Sequence, residues 1–298
     1  MKRPFLLLIL CMFAAAVAQA ATISKVAFTR GGFIYVKDMQ SGIEKRIAKG
    51  SYPSISPDGT SLAYSHDGVA ANKDMTREIR TVDLSSGRVT EFESLKKYLC
   101  YGAVWSPDSK KLAFGLFKDS RWQAVVMGAQ KRDWKVVSDR VNTSFGVSAT
   151  TWSTDSNSVL TQDLDKIYQL SLNGALLRKF SVSDIVDDIS YVSSATTYVL
   201  SNDDQSLFFD TEQLPDEKRP SMIWRYDLAT KTRKQISPKT LSAGHPVLLP
   251  DGAEIVFTGV SLARRQGQPG IYRMKTDGTG VQLLVANADQ GTVAIEVN

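Results

Sequence analysis

Ser54 to Ser65, SISPDGTSLAYS, sets a Ser-Pro-Asp-Gly turn between two short alternating apolar runs. Proline presets the backbone of the first central turn position, aspartate caps the turn with its side chain, and glycine takes the left-handed slot. The flanks alternate apolar and polar with period two, as a half-buried strand requires. The stretch therefore reads as a β-hairpin, and one hairpin alone is marginal in water. Repetition supplies what it lacks. Val104 to Gly115 reads VWSPDSKKLAFG, Thr151 to Gln162 reads TWSTDSNSVLTQ, and Leu248 to Gly259 reads LLPDGAEIVFTG.

The turn aspartates Asp58, Asp108, Asp155, Asp203 and Asp251 lie 50, 47, 48 and 48 residues apart. Within each period a second pattern follows the hairpin, as in Glu78 to Phe92 (EIRTVDLSSGRVTEF), Lys166 to Phe180 (KIYQLSLNGALLRKF) and Met222 to Ile236 (MIWRYDLATKTRKQI). Each is a strand, a polar turn and another strand, so every period holds about four strands, the content of one propeller blade. One period back from Asp58 falls inside the N-terminal apolar run, so the first blade lacks its innermost strand there. Ile23 to Gly50 supplies three strands, and Gly291 to Asn298 (GTVAIEVN) supplies the fourth after the last complete period. The expectation is an all-β, six-bladed propeller of four-stranded antiparallel blades. Its ring is closed by the C-terminal strand joining the N-terminal blade, which leaves no open sheet edge within the ring.

Residues 1–20 stand apart. Lys2 and Arg3 precede the apolar run Phe5 to Val17, and Ala18-Gln19-Ala20 is a small-x-small cleavage site, the pattern of a secretory signal peptide. A retained anchor needs a longer run, and lipidation at Cys11 is disfavoured by Leu10 before it. The expected domains are thus a cleaved signal peptide, 1–20, and a single propeller, 21–298. Cleavage leaves 34 basic residues (36 less Lys2 and Arg3) against 31 acidic, a net +3, and Cys100 as the one cysteine. Such a charge gives no case for nucleic acid. A lone cysteine excludes an intramolecular disulfide, so an exported chain of this length rests on its hydrophobic core. No later segment is apolar enough to span a membrane, and the reading is a periplasmic or secreted monomer.

Tyr52 to Ser65 (YPSISPDGTSLAYS), Ala103 to Gly115 (AVWSPDSKKLAFG), Ile34 to Gly42 (IYVKDMQSG) and Ile223 to Thr232 (IWRYDLATKT) resemble the repeats of the TolB-type six-bladed propeller, the periplasmic component of the Tol-Pal envelope system. The resemblance covers the mature chain, although TWSTDSNSVLT and VLSNDDQSLFF lack the proline and glycine. Related repeats occur in peptidase propellers and polysaccharide lyases, so the likeness speaks to fold more than to function. The TolB family also carries an α/β domain and an extended arm ahead of its propeller. With the first strand expected near Ile23, the resemblance implies a TolB-like propeller alone, used as a binding platform.

A catalytic reading requires convergent acids, bases, nucleophiles or metal ligands. Only His66 and His245 occur. His245, directly before Pro246 at the start of an innermost strand, is the candidate for the channel mouth, and His66 lies in a connection. No Gly-x-Ser-x-Gly elbow is present, and two histidines do not furnish a lyase of similar repeat. The carboxylate pairs Asp163/Asp165, Asp187/Asp188, Asp203/Asp204 and Asp210/Glu212 lack the spacing of a known calcium loop and read as turn or solvated-loop groups, with a calcium ion in the channel left open. Trp105, Trp152 and Trp224 fall in strands and read as core.

The connection between second and third strands varies most. It is short at Lys118 to Arg121 and Asp163 to Lys166, and long at His66 to Arg77, Asp210 to Pro220 and Gly259 to Pro269. In a propeller these connections share one face, and the three long ones fall in one sector of it. They carry Lys73, Arg77, Lys218, Arg219, Arg264 and Arg265, adaptable cations suited to a protein interface. The functional expectation is a non-enzymatic interaction platform for an envelope protein or peptide, with no cofactor. The alternative is a channel-site enzyme or carbohydrate-binding module, lyase-like, with a bound cation.

Overall fold

The computed structural model describes residues 22–296 apart from 70–73, 131, 142, 145, 187–191, 213–219 and 264–266. Twenty-three strands follow in six groups: β1 (Ile23–Arg30), β2 (Phe33–Asp38) and β3 (Glu44–Lys49); β4 (Ser51–Ile55), β5 (Ser61–Val69), β6 (Met75–Asp83) and β7 (Val89–Glu91); β8 (Leu99–Trp105), β9 (Lys111–Lys118), β10 (Arg121–Gly128) and β11 (Trp134–Val136); β12 (Ser148–Trp152), β13 (Ser158–Gln162), β14 (Lys166–Ser171) and β15 (Leu176–Ser181); β16 (Tyr198–Leu200), β17 (Ser206–Thr211), β18 (Met222–Asp227) and β19 (Thr232–Gln235); β20 (Leu241–Leu248), β21 (Glu254–Ser261), β22 (Pro269–Lys275) and β23 (Gln282–Ala286). The last strand, β24 (Asp289–Ile295), pairs antiparallel with β1, Ile23 opposite Ile295 and Val26 opposite Val293, so both ends of the described chain build blade 1. Six four-stranded sheets result, each ordered from channel to rim. The fold is the six-bladed propeller that the period implied.

Alternation along each strand explains how the blades hold together. Val26 and Phe28 of β1 pack against Val256 and Ile271 of blade 6, whereas Ala27 between them faces Leu62 and Tyr64 of blade 2. In β5, Ala63 in turn points to Leu112 and Phe114 of blade 3. A period of two therefore divides every second strand between two neighbours. The core is not one central mass. It is six apolar layers, one at each blade-to-blade interface, including the layer between blades 6 and 1. Fully buried rings such as Phe28, Phe114, Phe209 and Phe257 contribute about 1.5–3 kcal/mol each by removal from water.

The turn motif works as its residues imply. Asp58 Oδ1 accepts from Ser56 Oγ at 2.6 Å and Thr60 N at 3.0 Å, and Asp108 Oδ1 from Ser106 Oγ at 2.5 Å and Lys110 N at 3.1 Å. The degenerate copies keep this geometry: Asp155 takes Ser153 Oγ and Asn157 N, Asp203 takes Ser201 Oγ and Gln205 N. Where glycine is missing, Ser109, Ser156 and Asp204 occupy the left-handed slot at φ near 60°. The turns also interlock, since Ser109 Oγ accepts the Asp58 amide and Ser156 Oγ the Asp108 amide.

Three sequence expectations need correction. The connection at His66 to Arg77 is mostly strand, because β5 and β6 pair out to Val69 opposite Met75. That at Gly259 to Pro269 begins later, since Val260 still pairs with Pro269. The final strand starts at Asp289 rather than Gly291. The short connections at Lys118 to Arg121 and Asp163 to Lys166 are as expected, and of the three long ones that after Thr211 spans about its expected length, β18 starting at Met222. No helix of the described residues is long and apolar enough to cross a membrane. Residues 1–20 lie outside the described residues.

Candidate functional site

The six innermost strands enclose a channel cavity of about 260 Å³, lined from every blade by residues such as Tyr52, Gly102, Thr151, Thr197, His245 and Gln290. Its wall is mainly valine, leucine, proline and tryptophan, and among the described residues it contains no Lys, Arg, Asp or Glu. One mouth opens on the face where second strands lead into third strands. There the inner strands are bulged: the register slips between Ser51 and Ser54, Tyr101 and Val104, and Gly244 and Val247. At these slips, and at the one in blade 1 between Ala27 and Thr29, the backbone turns left-handed, with φ of 52° at Tyr52, 65° at Gly102, 55° at His245 and 52° at Gln290. That conformation is free for glycine and costs other residues roughly 1–2 kcal/mol.

A bulged amide needs a partner, and the preceding blade supplies it. Gly102 N points to Ser65 Oγ at 3.4 Å, Gln290 N to Thr258 Oγ1 at 3.1 Å, and His245 N to Asp210 Oδ2 at 2.8 Å. Gln290 passes the pattern on, its Oε1 accepting the Tyr52 amide at 2.8 Å. Asp210 also takes the Thr197 amide on Oδ1 at 2.7 Å. It is 5% exposed, so the expectation that it is a turn or solvated-loop group is overturned. Burial pushes its carboxyl above the ordinary range, against the pull of His245 and of the amides. The Tyr198 hydroxyl is buried without a partner among the described residues and is pushed up by burial and by the Asp210 charge.

On the same face, blades 2 and 3 carry an aromatic row. Ring centroids are 4.6 Å apart for Tyr52 and Tyr101, 6.5 Å for Tyr101 and Trp122, and 5.4 Å for Trp122 and Phe117, each pair tilted by about 60°. The guanidinium carbon of Arg77 lies 5.3 Å from the Tyr101 centroid, and its Nε donates to Asp67 Oδ1 at 2.5 Å. Asp67 holds the Arg77 guanidinium above its ordinary pKa. Among the described residues six large apolar side chains are exposed at this face: Val69, Met75, Leu99, Phe117, Leu164 and Leu262. Four of them belong to blades 2 and 3.

Of the cations expected to meet a partner, Arg77 lies in β6 rather than in a loop and is already paired, while Lys73, Lys218, Arg219, Arg264 and Arg265 lie outside the described residues. His245 lines the channel mouth. Asp163 accepts from Tyr168 and Lys166, and Asp204 pairs with Arg178 at 2.8 Å. Among the described residues no three His, Cys, Asp or Glu gather as a metal-holding group. The aromatic row and the Asp210 latch escaped the sequence reading. The latch was open to it, because the position holds Thr29, Ser65, Gly115, Thr161, Asp210 and Thr258 in blades 1 to 6.

No protein-family model matches the chain, and no curated protein matches it. Solved structures do. TolB from Acinetobacter baumannii superposes with a TM-score of 0.63 at 17% identity, over 91% of this chain and 66% of that one, so the chain spans just under two thirds of that protein's length. A putative TolB from Agrobacterium tumefaciens gives a TM-score of 0.58 at 13% identity, over 92% of this chain and 98% of that one. An oligogalacturonate lyase in complex with manganese gives 0.51 at 14% identity, over 85% and 70%. These likenesses show a TolB-like propeller fold, and an enzyme is among the structures it resembles.

Proposed function

We propose that this chain is an exported, non-enzymatic propeller of the cell envelope whose face bearing the channel mouth receives an envelope protein or peptide. One observation carries the reading: exposed Val69, Met75 and Leu99 flank the tilted row Tyr52, Tyr101, Trp122 and Phe117, itself ending in an exposed ring, on two adjacent blades. The other large exposed apolar residues, such as Ile43, Val89, Leu176 and Leu283, lie singly or in pairs near the outer strands of separate blades. Aromatic rings that are half-buried and held by neighbours suit an interface anchor, because little side-chain freedom is lost on binding. The TolB-like fold supports a periplasmic setting, and the proposal includes no cofactor.

The test is capture of partners from detergent-solubilised envelopes on the tagged mature protein. Val69→Asp/Met75→Asp and Phe117→Asp, all at exposed positions, should abolish a stoichiometric partner that the native protein retains. Leu176→Asp/Leu283→Asp, on outer strands, should not. Equal retention by all three variants, or no partner at all, would refute the docking face.

A further inference from the structure

The second-strand position that faces the inner strand just before its bulge is occupied by Thr29, Ser65, Gly115, Thr161 and Thr258 in five blades, opposite Asp289, Ser51, Tyr101, Ala149 and Gly244. A hydroxyl suffices to hold a neighbouring amide there, as Ser65 and Thr258 show. Blade 5 departs from the rule with a carboxylate. Asp210 accepts an N–H on each oxygen, from His245 on Oδ2 and from Thr197 on Oδ1, and these bonds favour its charged form against the burial that opposes it. Among the described residues no Lys or Arg forms an ion pair with it. A buried negative charge without a full countercharge is unfavourable. It stands directly behind Thr197 and His245, two residues of the channel wall, and among the described residues the wall itself holds no Lys, Arg, Asp or Glu.

We propose that the channel mouth binds an organic cation, an ammonium group on an aliphatic body, drawn by the Asp210 carboxylate behind the His245 and Thr197 wall. The wall suits such a ligand. Tyr52 offers a ring at the mouth for the cation, Thr197 offers a hydroxyl oxygen, and Val199, Val247 and Val293 receive the aliphatic part. Tyr52 and His245 are held in place by the left-handed bulges, and the His245 bulge is fixed by Asp210 itself. Asp210 is thus both a source of charge and a positioning residue. This site does not depend on the docking face, and its ligand is either a free amine or a lysine side chain.

Calorimetric titration of the mature protein with n-butylammonium, with N-acetyl-lysine methylamide and with neutral n-butanol tests the proposal. Both cations, or the lysine derivative alone, should bind saturably and roughly tenfold or more tighter than n-butanol. Binding of the lysine derivative alone assigns the cation to a protein. Asp210→Thr installs the residue that three other blades use, so it should fold normally by circular dichroism and lose the preference for the cation. Asp210→Asn should lose it as well. The proposal is overturned if neither cation binds, if n-butanol binds as tightly, or if a folded Asp210→Thr protein keeps the preference. Envelope capture by Asp210→Thr should be unchanged if the partner is held by the aromatic row, which separates this result from a failure of docking.

Discussion

Closure of the ring is tested most directly at Gly291, on the strand that returns from the C-terminal side to complete blade 1. A Cβ on Gly291 would lie 2.6 Å from both Cδ1 and Cγ2 of Ile271 and 2.7 Å from Cγ1. Ile271 is fully buried on β22 of blade 6, so the new methyl has nowhere to displace it. Overpacking of this kind costs about 1–3 kcal/mol, less the roughly 0.4–1 kcal/mol that an added Cβ returns by restricting the unfolded chain. Gly291→Ala should therefore destabilise by about 1–2 kcal/mol. Ile271→Ala alone should cost about 2–5 kcal/mol as a cavity. That substitution removes all three clashing atoms, and in its presence the Gly291→Ala methyl fills space instead of competing for it. The double variant should be more stable than the sum of the singles by about 1–3 kcal/mol, read as the urea midpoint at constant slope. A neutral Gly291→Ala that adds linearly to Ile271→Ala would show that β24 is not seated against blade 6.

Ser106→Ala removes the bond to Asp108 and the acceptor for Lys111 N at 2.9 Å, and urea unfolding should show a loss of about 1–2 kcal/mol. Asp155 is held below the ordinary carboxylate range by the Ser153 hydroxyl and the Asn157 amide, against partial burial. Its contribution is present above the unfolded value of about 3.9 and is lost as pH falls through the folded value. Asp155→Asn should thus lower Tm at pH 7, with the difference from wild type shrinking below about pH 4. Burial pushes the Cys100 thiol up to about 12, so the native protein should resist iodoacetamide at pH 8 and react once unfolded in urea. At the channel mouth, Gly102→Ala meets open space and should cost about 1 kcal/mol for its left-handed backbone. Gly244→Ala has no such backbone penalty. Its Cβ would sit 3.1 Å from Asp210 Oδ2, so its loss of stability should disappear in an Asp210→Thr background.

The turn motif and its period were sufficient to read the blades, because each copy encodes a local structure and the copies add up to a ring. Even the composite blade was legible, since a three-strand beginning calls for a one-strand end. The limits of the hairpin from His66 to Arg77 were not legible, because Asp67 and Gly68 look like loop while their pairing with Arg77 and Thr76 is a matter of cross-strand register. Asp210 is hidden for a different reason. Beside Glu212 it resembles a solvated pair, and only alignment against Thr29, Ser65, Thr161 and Thr258 marks it as a buried latch position. The row from Tyr52 to Phe117 draws on four strands of two blades, and nothing in linear spacing brings those rings together.

The pairing of Ile23 with Ile295 also bears on how the molecule is assembled. Blades 2 to 6 are each complete within a span of about fifty residues or fewer, whereas blade 1 must bring together strands separated by almost the whole chain. Loop closure grows only as the logarithm of length, so this last pairing costs about 1.5 kcal/mol more than a within-blade closure. Until it forms, β1 presents an unpaired edge and the apolar layer between blades 6 and 1 stays open. The exposed edge is a template for pairing with another copy, so a chaperone or dilution should matter most at this stage of refolding. Joining residue 296 to residue 22 by a short linker and opening the chain in the turn between β11 and β12 would make blade 1 contiguous, and would move the vulnerable step to a seam between blades.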